Sequence, residues 1–116
     1  MSETPTTVEP TPDLERLIET RTQAGDAYHG EPCSIEIVVK GDASGTGFTY
    51  HVDLVDGSAP LFRPGPAPDA AASLELSRTD AEAESQGRHP VVGFMRGTTK
   101  TKGATRPLYE FFRLLS

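Results

Sequence analysis

The sequence predicts an α+β domain, and three observations carry that reading. Segments of alternating apolar and polar residues recur along the chain, as half-buried strands require. Stretches near both ends space their large apolar residues at i, i+3 and i+4, as amphipathic helices do. Glycine and proline clusters punctuate these segments, and Asp56-Gly57 is a strong hairpin signal.

Residues 1–11 are rich in Thr, Pro and Glu and hold one aliphatic residue, Val8, so a disordered tail is expected there. Thr11 reads as a helix N-cap, with Pro12 at the first helical position and Asp13 and Glu15 in the first turn. Leu14, Leu17 and Ile18 share one face of that helix, which ends near Thr22 to Gly25. Cys33 to Lys40 is a strand with Ile35, Ile37 and Val39 inward. After a flexible turn over 41–47, Phe48 to Val55 forms a second strand with Phe48, Tyr50, Val52 and Leu54 on one face and His51 and Asp53 on the other. Pro60 to Arg63 is a short third strand, and Ala72, Leu74 and Leu76 mark a fourth.

Thr79-Asp-Ala-Glu82 has the spacing of a capping box, opening a short helix that Gly87 stops. Only Ala81 and Ala83 are apolar in it, so a largely exposed helix is expected. Pro90 forces His89 toward extended geometry, which reads as a loop. Val91, Val92, Phe94 and Met95 then form an apolar patch that calls for burial. Gly97 and Gly103 bracket a fifth strand, Thr98 to Lys102. Pro107 fits the first turn of a last helix, on which Leu108, Phe111, Phe112 and Leu115 make an apolar stripe.

Composition narrows the function classes. A chain of 116 residues fits a single domain. Formal charge is −6, which disfavours a phosphate backbone as partner, so no nucleic-acid role is expected. The lone cysteine, Cys33, has no internal disulfide partner, and at a strand start it reads as a small hydrophobe. His29, His51 and His89 show no metal-ligand spacing, so neither metal nor cofactor is expected. The first residues lack the basic start and apolar core of a signal peptide. No apolar run approaches the ~20 residues that span a bilayer. A cytoplasmic protein with at most transient membrane contact is the expectation.

The order of elements over residues 12–116 resembles the sterol carrier protein type two family. The likeness is carried by Phe48 to Gly57 (an aromatic-aliphatic strand ending in a glycine turn), by Leu74 to Gly87, and by the Phe-Met segment Val91 to Gly97. The glycine-bracketed strand and the amphipathic C-terminal helix complete it. The resemblance implies a five-stranded, mostly antiparallel sheet covered on one face by helices, with an apolar ligand held between them. One departure stands out. Where the family usually turns Ile, Val or Leu inward between the two glycines, this chain has Thr99 and Thr101. Each must bond locally or face a partly polar cavity, because a buried unpaired hydroxyl costs about 1–3 kcal/mol. The second case favours a ligand carrying oxygens.

The candidate ligand-binding residues are therefore Phe48, Tyr50, Val52, Leu54, Phe94, Met95, Thr99, Thr101, Leu108, Phe111, Phe112 and Leu115. The competing reading of most of them is plain core. Arg96, Lys100, Lys102 and Arg106 form a cationic run that suits a carboxylate, a coenzyme A phosphate or an anionic membrane, or else a solvated sheet edge. No catalytic motif is present.

Three functions compete on these grounds. The first is a carrier of a lipid, acyl chain, steroid or polyketide-like molecule, apolar or of mixed polarity, with the last helix as lid. The second is a small enzyme or accessory subunit of natural-product or steroid metabolism, with Tyr50 or His51 as acid or base. The third is an interaction subunit that docks a protein partner.

Overall fold

The structure is a computed structural model that describes residues 14–115. The expected tail and the Thr11–Pro12 helix start lie outside the described residues. Helix α1 (Leu14–Gln23) comes first and buries Leu14, Ile18 and Thr22, with Leu17 half-buried on the same side. Strands β1 (Cys33–Lys40), β2 (Phe48–Leu54), β3 (Leu61–Pro64) and β4 (Ala72–Ser77) follow. Helices α2 (Arg78–Ser85) and α3 (Pro90–Arg96), strand β5 (Lys100–Gly103) and helix α4 (Thr105–Leu114) complete the chain.

The five strands form one sheet in the order β3-β2-β1-β4-β5. β1 is central. It pairs antiparallel with β2, setting Ile37 opposite Tyr50, and parallel with β4, setting Ile37 beside Leu74. The remaining pairs are antiparallel, so the sheet is mostly antiparallel with one parallel join. The period-2 alternation then assigns the faces. Ile35, Ile37, Val39, Tyr50, Val52, Leu54, Ala72, Leu74 and Leu76 all turn to the helix-covered face and are buried.

The opposite face is polar. Ser34 donates to Asp53 at 2.8 Å, Arg63 pairs with Asp53 at 3.5 Å, and Lys40 pairs with Glu75 at 3.2 Å. The proline-rich connection from β3 to β4 crosses this face. His51 Nδ1 lies 2.9 Å from the Gly65 carbonyl, and the Ala67 N–H donates to Glu36 at 2.9 Å. A chain returning from one edge strand to the far side of β1 must cross one face, and the helices occupy the other.

Four local expectations are corrected. The capping residue of α2 is Ser77, whose Oγ accepts from the Asp80 N–H at 3.1 Å. Thr79 instead gives its N–H and hydroxyl to Asp42 at 2.9 and 2.8 Å, tying the β1–β2 turn to the helix. Nor is α2 largely exposed: Ala81 is buried and most of its other residues are half-buried against α1 and the sheet. His89-Pro90 is a helix start rather than a loop. His89 Nδ1 accepts from the Val91 N–H at 3.0 Å, leaving Nε2–H to donate to the Phe112 carbonyl at 2.7 Å, which ties the start of α3 to α4. Finally, the apolar patch of α3 is only partly covered. Met95 is 79% exposed, because the seven-residue helix turns Phe94 toward α4 and Met95 away.

Strand β5 is shorter than the expected 98–102 and begins two residues later. Both bracketing glycines sit at positive φ, 78° at Gly97 and 88° at Gly103. Gly97 ends α3 in the left-handed region. At Gly103 a Cβ would come within 2.5 Å of the Ala71 carbonyl oxygen, so no larger residue fits that close approach.

Candidate ligand site

The C-terminal stripe packs as its spacing predicts. Leu108, Phe111 and Phe112 are buried, Leu114 is buried more deeply than the expected Leu115, and Leu115 is half-buried against the same cluster. Phe112 is the hub of an aromatic group, with ring centroids 5.8 Å from Phe94, 6.5 Å from Phe111 and 6.4 Å from His89. On the sheet, Tyr50 stacks on Phe62 at 4.9 Å and lies 6.0 Å from Phe48.

Between the sheet and the helices lies a cavity of about 40 Å³. Ile37, Tyr50, Leu74 and Leu76 form its floor, Ile18, Arg21 and Thr22 of α1 one wall, Ala81, Glu84 and Ser85 of α2 another, and Pro90, Phe111 and Leu115 the roof. Two larger hollows, of about 580 and 510 Å³, have charged linings and lie beside α1 and β3 and beside Tyr28 and Arg106. The small cavity is lined mainly by apolar residues of the sheet and helices, so it is the candidate site.

Of the residues expected to bind ligand, the cavity brings together Tyr50, Phe111 and Leu115. Val52, Leu54, Leu108 and Phe112 are buried in the core beside it, and Phe48 and Phe94 pack partly against that core. Met95 is on the surface. Thr99 and Thr101 do face inward: Thr99 is buried, and Thr101 lies opposite Leu74. Neither lines the cavity. The Thr99 hydroxyl is buried without a hydrogen-bond partner, and a Cβ on Gly93 would approach it to 2.5 Å.

A partly polar cavity is among the expectations from Thr99 and Thr101, but the residues that make it polar include Arg21 and Glu84, which the sequence reading does not name. Arg21 has its Nε buried with no hydrogen-bond partner. Glu84 leaves only 14% of its side chain exposed, with Arg88 at 3.4 Å as its ion-pair partner. Burial pushes the Glu84 carboxyl up to about 7, against the opposing pull of Arg88. The Tyr50 phenol is likewise raised, first by burial and then by the charge of Glu84. Helical spacing does mark one of these residues: Arg21 falls three positions after Ile18, on the buried side of α1. For Glu84 the sequence holds no comparable signal, because α2 shows little apolar periodicity.

The four cations of 96–106 do not converge. Lys100 and Lys102 are exposed on the edge strand β5, Arg96 ends α3, and Arg106 borders the hollow beside Tyr28 and Glu110. Cys33 is free and half-buried. Among the described residues no group of His, Cys, Asp or Glu is arranged to hold a metal, and no helix is long and apolar enough to cross a membrane.

The five-stranded mixed sheet with helices on one face is the fold shared with solved sterol carrier protein structures. No family model matches the chain, and no curated protein matches it in sequence. Solved structures do. Palmitated SCP2L2 from Aedes aegypti has a TM-score of 0.65 at 16% identity, covering 88% of this chain and 90% of that one. A crystal structure of sterol carrier protein 2 has a TM-score of 0.55 at 19% identity, covering 88% of this chain and 86% of that one. The sec-alkylsulfatase Pisa1 from Pseudomonas sp. has a TM-score of 0.54 at 22% identity over 76% of this chain, which spans only 13% of the enzyme. At these identities the shared property is the fold.

Proposed function

We propose that this protein is a non-enzymatic carrier that shelters an apolar molecule, of the lipid or acyl-chain class, between the sheet and the helices. The observation that supports it is the cavity of about 40 Å³ within the apolar layer, walled by side chains of α1, α2 and α4. The palmitated state of a protein of the same fold points in the same direction. Ligand pockets usually measure about 300–1000 Å³. The cavity is therefore the contracted form of the site, and a chain enters by displacing the roof. Helix α4 is the element to move: Phe111 and Leu115 lie directly over the cavity, and the hydrogen bonds from His89 to the Phe112 carbonyl and from the Asp26 N–H to the Leu114 carbonyl are latches at its last turn. Burial of apolar ligand area, at about 25 cal/mol per Å², supplies the driving force.

Displacement of a fluorescent fatty-chain probe by palmitate and by 1-hexadecanol tests this. Saturable one-to-one binding is expected, with an Ala81→Leu variant at least tenfold weaker while remaining folded. No binding by the wild-type protein of any of the three molecules would overturn the reading.

A further inference from the structure

The apolar cavity has a polar end. Tyr50 of β2, Arg21 of α1, and Glu84 and Ser85 of α2 all line it. Two features show that this end is not simply packed core. The Arg21 Nε–H is buried and makes no hydrogen bond. The Glu84 carboxyl is held by one long contact to Arg88, 3.4 Å away, and that guanidinium also serves Asp80 at 3.2 Å. Buried polar groups left with such sparse partners are costly, and cavities that keep them do so where something else completes the bonding.

We infer that Tyr50, Glu84 and Arg21 form a recognition site for a neutral hydroxyl group at the end of an apolar ligand, selecting a long-chain alcohol over the corresponding carboxylate. The inference rests on the carrier reading above and adds the ligand's polar group to it. A hydroxyl both donates and accepts. It donates to the Glu84 carboxylate and accepts from the Arg21 Nε–H or the Tyr50 hydroxyl, so both kinds of wall group find a partner at once. A carboxylate only accepts. It would meet Arg21 favourably but would bring a second anion against the largely buried Glu84, where like charges repel more strongly than in water. Asp80 adds negative charge nearby and Arg88 adds positive charge, and neither removes that conflict.

The test compares 1-dodecanol with dodecanoate at pH 8, where Glu84 is ionised. The readout is displacement of one uncharged alkyl fluorophore. The wild-type protein is expected to bind the alcohol at least tenfold more tightly than the acid. Glu84→Gln is expected to bring the two within threefold, chiefly by strengthening the acid. Tyr50→Phe keeps the ring that stacks on Phe62 and is expected to weaken the alcohol about fivefold, leaving the fluorophore unchanged. Equal or tighter binding of dodecanoate by the wild type would overturn the inference and leave the carrier reading standing. Equal loss of fluorophore and alcohol in Tyr50→Phe would also overturn it, by showing a packing role. Failure of the wild type to bind any of the three would remove both.

Discussion

The two halves of the layer between sheet and helices are built differently. Around Phe112 the contacts are aromatic, with ring centroids of Phe94 at 5.8 Å and Phe111 at 6.5 Å. Around Tyr50 the same sheet face meets Arg21 and Glu84 and leaves a cavity. The first half is where burial stabilises the chain. The second gives up some of that stabilisation by keeping charged groups in a poorly solvated place, as the proposed binding site would require. An unpartnered polar atom occurs both at Thr99, which does not line the cavity, and at Arg21, which does, and the proposed ligand would complete the bonding of Arg21 alone.

The largest expected difference comes from truncating the packed half. Phe112→Ala should lower stability by about 3–5 kcal/mol in denaturant unfolding, since it empties the hub of the aromatic group. Leu115→Ala, on the edge of the cavity half, should cost less than half as much.

A smaller effect separates the halves by pH. The folded Glu84 carboxyl titrates at about 7, above its ordinary range near 4.5, so the folded state holds a proton that the unfolded chain has already released. Stability from this group is fully present below about pH 4.5 and falls as pH rises to about 7, by on the order of 2–3 kcal/mol. Urea midpoints measured from pH 4.5 to 8 should show this decline, and Glu84→Gln should flatten it. A decline unchanged in the variant would place its origin elsewhere.

Thr99→Val sharpens the contrast further. It should stabilise the fold by about 1 kcal/mol by removing an unpartnered hydroxyl, with ligand affinity unchanged. Arg21→Met should leave thermal stability equal or higher yet weaken a hydroxyl-bearing ligand. The smallest effect belongs to the polar face outside: Lys40→Ala should change stability by less than about 0.5 kcal/mol, since its pair with Glu75 is largely solvated.

The apolar surfaces of both halves were legible in the sequence, and the charged residues of the cavity were not. Period-2 alternation in 33–40, 48–55 and 72–76 and the i, i+3, i+4 stripe of the last helix assigned strands, helix and inward faces directly. Hydrophobic periodicity finds packed surfaces, and it named Phe111, Leu115 and Tyr50 because they share those surfaces. It passed over Glu84 because nothing local distinguishes a carboxylate turned toward a cavity from one turned toward water. Met95 failed in the opposite sense, since a patch reading takes no account of which way a seven-residue helix faces. The capping error at α2 has a similar origin: Ser77 and Thr79 both suit an N-cap, and Asp42, distant in sequence, captures Thr79.

The most direct test of the proposed site is methyl NMR of the Ile, Leu and Val side chains during titration with 1-dodecanol. Shifts concentrated at Ile18, Ile37, Leu74, Leu76 and Leu115, with Val38 on the opposite face of the sheet unmoved, are the predicted result. Shifts at Val38 and other outer-face methyls with the cavity methyls unmoved would contradict it.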